Sequence, residues 1–403
     1  MSDQEAPPPA PSSPSPWTNR TFVALFGAHV TSLIGSAIGS IALGLLAKEL
    51  VDAKVTEVLG ITMTIRIAIL VFVAPLAGRV ADLLGRKATL IITDLVRVLV
   101  LGAFFFVTEV WQIYVLAVLM NLGAALFTPV YKAIIPGVTG EEAYPKALAA
   151  GTIAYDLSQI FGPAMAAFLL QLVDFRGIFL IDAATFVISV MLIMPLSLTL
   201  RSGTTSEKKP PSHLLFGIRR MLSVPELRHS LLLALRVSIV GALALVATIG
   251  YVTVELGLSS SLYAWAMAAL GIGSMLGVTA YAYLPSPLQA RMEQLALPML
   301  VASLILAATV QTYWALVIAW VLSGAGQGIQ NTLSNRLLAA NSAEEERPHI
   351  YAAHFSLSHA GWGLTYPAAG FLPTAFDFQT TCWIFLGLLV LTLLLQVPKK
   401  GNP

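Results

Sequence analysis

Long apolar runs alternate with short polar connections along most of this 403-residue chain. A helix needs about 20 mostly apolar residues to cross a lipid bilayer, and twelve runs reach or approach that length. We number them as spans 1 to 12: residues 21–47, 57–77, 88–107, 111–131, 147–172, 177–199, 229–253, 261–284, 294–311, 313–335, 350–373 and 380–397. The pattern therefore predicts an all-α membrane protein with twelve transmembrane helices.

The polar connections divide the spans into two groups of six. The longest one contains RSGTTSEKKPPS followed by HLLFGIRRMLSVPELR, which has the pattern of a short amphipathic helix at a membrane surface. The first residues are rich in Pro and Ser and lack the basic start and apolar core of a secretory signal. We predict a disordered N-terminal tail, a six-helix bundle, a cytoplasmic linker, a second six-helix bundle and a C-terminal tail: residues 1–19, 20–200, 201–228, 229–397 and 398–403.

An internal repeat supports this division. With a constant offset of 204 residues, TPVYKAIIPGVTGEEAYPKALAA aligns with TLSNRLLAANSAEEERPHIYAAH. The same offset places Pro163 on Pro367, span 1 on span 7 and span 2 on span 8. The matches favour two parallel halves related by an axis normal to the membrane.

The composition excludes a water-soluble globule. Hydrophobic residues make up 57% of the chain, charged residues only 11%, and the mean hydropathy is +0.80, whereas soluble domains are about 25% charged. The single cysteine, Cys382, lies in an apolar run. Neither a disulfide framework nor a thiolate metal cluster is therefore expected.

The distribution of basic residues predicts the orientation, since cytoplasmic loops carry an excess of Lys and Arg. With twelve spans and an internal N-terminus, 17 of the 23 basic residues fall inside. The three outside are Lys48, Lys54 and Arg176, and the three within spans are Arg66, Arg97 and Arg236. We expect a multi-pass protein of the bacterial cytoplasmic (inner) membrane with both termini in the cytoplasm.

The connection between spans 2 and 3 reads GRVADLLGRK. It resembles the signature loop of the major facilitator superfamily, commonly G-x-x-x-D-x-x-G-R-[KR], with Gly78, Asp82, Gly85, Arg86 and Lys87 at the matching positions. Glycines allow a tight turn, and Asp82 could bind a helix N-terminus of the other half. The resemblance implies a gate that latches the cytoplasmic side shut while the cavity faces outward. The alternative is that these charges only set the topology.

The resemblance covers nearly the whole chain and implies two pseudo-symmetric six-helix bundles that work by alternating access, without a cofactor. FGPAMAA in span 5 resembles the Gly-Pro helix-packing motif of exporters in this superfamily: Gly162 and Pro163 match, while Ala166 and Ala167 replace the usual glycine pair. The stretches GIRRMLSVPELR, FLIDAATFVIS and TDLVR look like the macrolide-efflux and enterobactin-exporter branch. The sequence has no phosphate-binding loop, zinc-protease motif or nucleophile elbow, so we expect no enzyme.

Ionisable side chains within spans cost about 2.5–3.5 kcal/mol at the helix centre and need a partner, water or a function. Asp156 in span 5 is our first candidate for proton coupling, because a carboxyl in an apolar wall retains its proton more readily. Its approach to Arg66 in one conformation would link protonation to conformation, and a permanent ion pair is the alternative. Asp94 and Arg97, spaced i, i+3 in span 3, are expected to pair. Asp182 is shallower, in span 6.

Polar and aromatic residues predict a substrate cavity. Span 10 has a polar stripe at i, i+3, i+4 and i+7, which lipid would penalise. Span 11 adds His359, a second proton carrier or ligand contact because histidine titrates near neutrality, or else a packing histidine. Many superfamily relatives have an acid in span 1, where this chain has Ser36, and an arginine in span 4, which is missing here. The predicted cavity residues are Ser36, Gln327, Gln330, Asn331, Ser334, His354, Trp362 and Tyr366.

These observations predict a proton-coupled exporter of small amphipathic organic compounds. Its partners would be the substrate, protons and the lipid bilayer, with no nucleic acid, no cofactor and no metal, and it would act as a monomer. One alternative is efflux of nickel or cobalt, supported by His29, Asp156, His354 and His359 within spans. A lipid flippase and a non-transporting membrane scaffold are further alternatives.

Overall fold

In a computed structural model of the chain, the described residues are 15–140, 143–197, 216–343 and 346–395, and the description excludes the side chains at 145, 149, 152, 156, 159, 160, 347 and 348. Within these ranges the structure has α-helices and no strand. The helices α1 to α14 are Arg20–Val51, Val55–Val73, Ala77–Leu84, Arg86–Phe104, Val110–Thr139, Tyr144–Leu169, Phe175–Ile193, Phe216–Ser223, Pro225–Gly250, Ser260–Tyr283, Ser286–Thr309, Tyr313–Ala340, Arg347–Ala375 and Phe378–Leu391. The predicted all-α fold is confirmed.

Each predicted span coincides with a helix or a helix pair. Span 2 matches α2 and the 3₁₀ turn Ala74–Leu76, and α8 lies in the predicted linker. Helix α3 covers most of the stretch GRVADLLGRK, so the prediction of a turn there is wrong up to Leu84, and only Gly85 separates α3 from α4. By length and apolar composition, six segments of the described chain qualify as membrane spans, and one of them, Arg20–Leu84, contains three helices. The number of twelve crossings therefore stays a prediction of the sequence.

Polar residues next to the helices determine where several of them begin. Asn19 accepts hydrogen bonds from the backbone N–H groups of the first turn of α1, and Asp174 and Asp377 cap α7 and α14 in the same way. Glu109 and Gln112 form a capping box at the start of α5. Gly85 separates α3 from α4 with a φ of 85°, a conformation that glycine adopts without strain.

The two halves of the chain repeat one packing scheme. In the first half, α1 packs on α6 and α7, α4 packs on α5 and α7, and α2 packs on α5. In the second half, α9 packs on α13 and α14, α11 packs on α12 and α14, and α10 packs on α12. Each pair in the first half thus has its counterpart in the second. The predicted boundary at residue 200 lies outside the described residues.

Helix α8 packs with the second half. Met221 is buried against α9 and α13, and a Cβ at Gly217 would meet the carbonyl oxygen of His349. The Arg220 Nε lies 3.3 Å from the Glu346 Oε2. The end of the predicted linker is therefore a fixed part of the C-terminal half, and α9 begins at Pro225, before the predicted start of span 7.

The halves meet where α2 packs on α13 and where α6 packs on α10. The 204-residue offset relates α2 to α10 and α6 to α13, so these two contacts are equivalent in the repeat. A Cβ on Gly60 would lie 2.8 Å from the Cα of Gly370, and the Thr56 hydroxyl donates a 2.9 Å hydrogen bond to the Gly370 carbonyl. Likewise a Cβ on Gly44 would lie 3.2 Å from the Tyr263 hydroxyl oxygen. These residues lie towards the helix ends on the predicted outer side, where the two halves are closely packed.

Glycines also allow α10 and α12 to approach each other closely, as small residues do in membrane proteins. A Cβ on Gly324 would meet the Leu270 carbonyl oxygen and lie 2.7 Å from the Ser274 nitrogen, and both are backbone atoms. We expect Gly324→Val to destabilise the fold by about 1–3 kcal/mol through overpacking, measured as a lower midpoint temperature of unfolding in detergent. Gly387→Val is the control, because no atom lies within 4 Å of that Cβ. Equal losses in both variants would contradict the prediction.

Candidate functional site

The polar stripe of α12 faces α9 and α13. The Gln327 Nε2 donates a 2.9 Å hydrogen bond to the Ser323 hydroxyl within α12. The Ser334 hydroxyl donates to the Ser230 carbonyl oxygen of α9 at 3.2 Å and lies 3.3 Å from the His354 Nε2 of α13. Part of the stripe thus joins three helices of the C-terminal half.

The four residues of the stripe differ in their exposure. Gln330 is 1% exposed, its Oε1 accepts no hydrogen bond from the part of the chain that the structure describes, and Ser334 is also buried. Gln327 is half-buried and Asn331 is exposed. Gln330 and Ser334 are thus covered in this arrangement while Asn331 is exposed, and the lining of water or substrate by this stripe stays a prediction. The difference in exposure is geometric, because successive residues such as Gln330 and Asn331 point about 100° apart around a helix.

Aromatic and amide groups converge where α9, α12 and α13 meet. A Cβ on Gly241 of α9 would lie 2.5 Å from the Trp362 Cη2 and 3.0 Å from the Gln327 Oε1. The Trp362 and Tyr366 rings lie 5.1 Å apart, centroid to centroid, and Tyr366 is buried. The side chains that meet here are therefore the aromatic rings of Trp362 and Tyr366 and the neutral amide of Gln327.

Across the interface, α2 contributes the predicted coupling residue Arg66. Its guanidinium is exposed and lies within electrostatic reach of His359 and Tyr366 on α13. The His359 ring packs 3.8 Å from the Phe355 ring, and its Nδ1 donates a 2.8 Å hydrogen bond to the Phe355 carbonyl. Asp156 lies in α6 with its side chain outside the described residues, so its pairing with Arg66 stays a prediction.

Helices α1 and α6 touch at the predicted packing motif. A Cβ at Gly162 would meet the Cβ of Ala37, so a side chain there would force the two helices apart. Pro163 follows inside α6 without ending the helix. Ser36, next to Ala37 in α1, is half-buried.

The stretch with the signature pattern, GRVADLLGRK, makes no hydrogen bond or ion pair with the described residues of the other half through its charged groups. Asp82 and Arg86 are exposed, and Asp82 makes no hydrogen bond or ion pair with any described residue. The Lys87 Nζ donates a 2.6 Å hydrogen bond to the Met194 carbonyl of the same half. A Cβ on Gly78 would have no atom within 4 Å. A latch from Asp82 to the other half is thus not formed in this arrangement.

A charged cluster is buried inside the N-terminal half. The predicted pairing of Asp94 with Arg97 is confirmed, with 3.3 Å between Oδ1 and Nη1. The Ser189 hydroxyl of α7 donates a 2.6 Å hydrogen bond to the Asp94 Oδ2. The guanidinium carbon of Arg97 lies 5.2 Å and 5.1 Å from the ring centroids of Phe127 and Phe186, close enough for cation–π attraction.

Sequence reasoning missed a third member of this cluster, Asp182 of α7. It lies within electrostatic reach of Arg97, and the Thr185 hydroxyl is 3.4 Å from its Oδ1. Its carboxylate lies against α1, where a Cβ on Gly35 or Gly39 would meet the carboxylate oxygens. The two glycines of GSAIGS in span 1 are the sequence signal for this close approach.

Two other arginines have partners that the sequence did not indicate. The Arg176 Nη2 lies 2.7 Å from the Glu49 Oε1 on the predicted outer side. Arg236 is buried in α9, where its Nε donates a 2.9 Å hydrogen bond to the Thr392 hydroxyl and its Nη2 has no partner among the described residues. Neither pair borders the convergence of α9, α12 and α13.

The metal-efflux alternative rests on histidines that the fold separates. His29 lies in α1 and packs 4.4 Å from the Tyr131 ring, whereas His354 and His359 lie in α13 of the other half. Over the described ranges, no three His, Cys, Asp or Glu side chains are grouped as a metal site requires.

Two repeated helical bundles with polar and aromatic groups near their interface are typical of multi-pass membrane transporters. The family model of the Major Facilitator Superfamily matches residues 24–284 and 231–402. The chain belongs to this superfamily.

Two bacterial relatives are similar in sequence. An uncharacterized MFS-type transporter, YfiS of Bacillus subtilis, is 24% identical over 259 residues, which cover 63% of this chain and 62% of that protein. Macrolide efflux protein A of Streptococcus pyogenes is 28% identical over 179 residues, or 42% of each chain. The alignments thus span less than two thirds of either relative.

Solved structures share the fold over nearly the whole chain. The nucleoside transporter NupG has a TM-score of 0.64 at 16% identity, covering 92% of this chain and 98% of its own. A bacterial homologue of the lysosomal transporter Spinster, in an inward-facing and unoccupied conformation, has a TM-score of 0.66 at 14% identity, covering 96% and 95%. The fold implied by the signature loop is confirmed.

Proposed function

We propose that this chain exports small amphipathic organic compounds from the cytoplasm in exchange for protons. The observation that carries the proposal is the convergence of Trp362 and Gln327 on Gly241. Binding sites for organic molecules have mostly apolar and aromatic walls with a few polar groups that orient the ligand. A phosphorylated substrate would instead require a cluster of basic side chains.

The relatives support the direction and the class of cargo. The name of macrolide efflux protein A states outward transport of a bulky amphipathic compound. Gly162 and Pro163 match the exporter motif and lie where α6 touches α1. We extend both properties to this chain, placed in the bacterial cytoplasmic membrane as a monomer with both termini in the cytoplasm.

The transport cycle alternates between two arrangements of the halves. The close packing of Gly60 on Gly370 and the unlatched Asp82 support an arrangement that opens toward the cytoplasm. In the opposite arrangement, Asp82 would bind the C-terminal half and close that side. Asp156, Arg66 and His359 stay the predicted coupling residues near the interface.

Proteoliposomes with a trapped pH-sensitive dye test this function. After a proton gradient is imposed, we expect tetraphenylphosphonium or erythromycin to trigger proton flux. Trp362→Ala should raise the half-saturating concentration about tenfold, which corresponds to about 1.4 kcal/mol of lost binding. Trp314→Ala is the matched control, because Trp314 is exposed at the outer end of α12.

Other outcomes would contradict the proposal. Proton flux triggered only by Ni²⁺ or Co²⁺, and lost in His354→Ala or His359→Ala, would favour metal efflux. Movement of a labelled phospholipid between leaflets without flux of the organic compounds would favour a flippase. An equal effect of both tryptophan substitutions would remove Trp362 from the binding site.

A further inference from the structure

Asp94, Arg97 and Asp182 form a buried charged triad within the N-terminal half. Their exposed fractions are 0%, 6% and 1%. If all three groups are ionised, two negative charges surround one positive charge, and the excess negative charge has almost no access to solvent. A buried charge without a partner is far more costly than a buried pair. One proton on either carboxyl would remove the excess.

Among the described residues, no cation other than Arg97 forms an ion pair with either carboxylate. Helix α7 packs on α1 and α4, and α4 also packs on α5. The titratable group of α1 nearest Arg97 is His29, and Tyr131 and the exposed Lys132 of α5 lie beside His29. His29 lies within electrostatic reach of both Arg97 and Lys132, so a charged imidazole would be repelled by two cations. A carboxyl is therefore the better place for the extra proton.

The ion pair of the triad is longer than two of the exposed ion pairs and equal in length to a third, Arg220–Glu346 at 3.3 Å. Arg176–Glu49 and Arg336–Glu293 have N–O distances of 2.7 Å, as expected for strong charge-assisted hydrogen bonds. The Arg97–Asp94 distance is 3.3 Å, and the buried Arg97 Nε has no hydrogen-bond partner in the described chain. Arg97 thus retains an unused donor, which lies on the side of α5, 2.9 Å from where a Cβ on Gly123 would be.

The two carboxylates lie at different depths. Asp182 is seven residues from the predicted outer end of α7, and Asp94 is eight residues from the predicted inner end of α4. At 1.5 Å per residue these separations are about 10 Å and 12 Å. Asp182 is thus the carboxyl nearer the predicted outer side, and Asp94 is the one nearer the predicted cytoplasmic side.

The triad also contacts helix α1, which in turn packs on α6. The Asp182 carboxylate lies against Gly35 and Gly39 of α1. The same helix carries Ala37, which touches Gly162 of α6. A change of charge on Asp182 thus acts directly on a helix that packs between α7 and α6.

We infer that Asp94, Arg97 and Asp182 form a proton-binding site, in which the two carboxyls share one proton and Arg97 changes partner when the proton leaves. This site is separate from Asp156, and its role in driving export rests on the proposed function. Proton binding itself does not depend on the cargo.

Infrared difference spectroscopy on the full chain in lipid vesicles tests the binding of the proton. We expect a carboxylic acid C=O band that persists at neutral pH and disappears on alkaline titration. Asp182→Asn and Asp94→Asn, which are similar in shape to the native residues, should each remove or shift this band. Glu226→Gln, at an exposed acid, should leave it unchanged. Absence of the band, or a response only in Asp156→Asn, would overturn the inference.

A transport measurement tests the role of the proton in export. Asp182→Asn should retain exchange of tetraphenylphosphonium at equal pH and lose proton-driven accumulation about tenfold or more, within the usual range of coupling between linked sites. Unchanged proton-driven transport in this variant would overturn the coupling role. If the wild-type protein transports no organic probe, the proposed function fails, while the infrared result still decides the proton site.

Discussion

Arg97→Leu is expected to prevent the chain from reaching a stable fold. Removal of one partner from a buried ion pair costs about 3–5 kcal/mol, a large part of the about 5–15 kcal/mol by which proteins are typically stable. Here the loss leaves the negative charge of the buried Asp94 and Asp182 carboxyls without a cation. The measurement is the yield of monodisperse protein in detergent and its midpoint temperature of unfolding.

Two further variants test whether the loss of stability in Arg97→Leu comes from the lost charge or from the changed side-chain shape. Arg86→Leu, at the exposed start of the same helix, should change stability by less than about 0.5 kcal/mol. Adding Asp94→Asn to Arg97→Leu should recover part of the loss, because residues in one ionic network are not additive. A stable Arg97→Leu protein, or no recovery in the double variant, would contradict the electrostatic explanation.

Gly60→Leu is expected to force the halves apart on the outer side and stop transport. A side chain there meets the backbone of Gly370, 2.8 Å from the new Cβ, and backbone cannot move aside as a flexible side chain can. A bias of about 1.4 kcal/mol against the closed arrangement changes its population tenfold. The measurement combines proton flux with labelling of Thr56→Cys by a maleimide that does not cross membranes.

The native chain suits this labelling because its one cysteine, Cys382, is buried. Thr56 is buried at the interface, so Thr56→Cys should react slowly alone and faster together with Gly60→Leu. Gly102→Leu is the control, since a Cβ at Gly102 has no atom within 4 Å. Unchanged labelling and flux in the Gly60 variant would mean that the outer contact does not limit the cycle.

The helices could be predicted from the sequence because hydropathy along the chain is a local property. The same is true of the Asp94–Arg97 pair, whose i, i+3 spacing brings the side chains together within one helix. The signature loop was also readable, since Gly85 separates two helices by its own conformation. In each case a few neighbouring residues decide the result.

The role of Asp182 could not be predicted in this way. Its partner Arg97 belongs to another helix, and only the packing of α4 on α7 brings the two together. The exposure of each residue in the stripe of α12 could not be predicted for a related reason. Periodicity gives the angle between Gln330 and Asn331, but the neighbours α9 and α13 decide which of them is covered.

The docking of α8 on the C-terminal half determines the length of the tether between the bundles. The tether is not the whole predicted linker but residues 198–215, between Ser197 and Phe216. Fully extended, a segment of this length reaches roughly 60 Å, more than the thickness of a bilayer. Chain length alone therefore places no tighter limit on the separation of the bundles, whereas the packing of α2 on α13 and of α6 on α10 does.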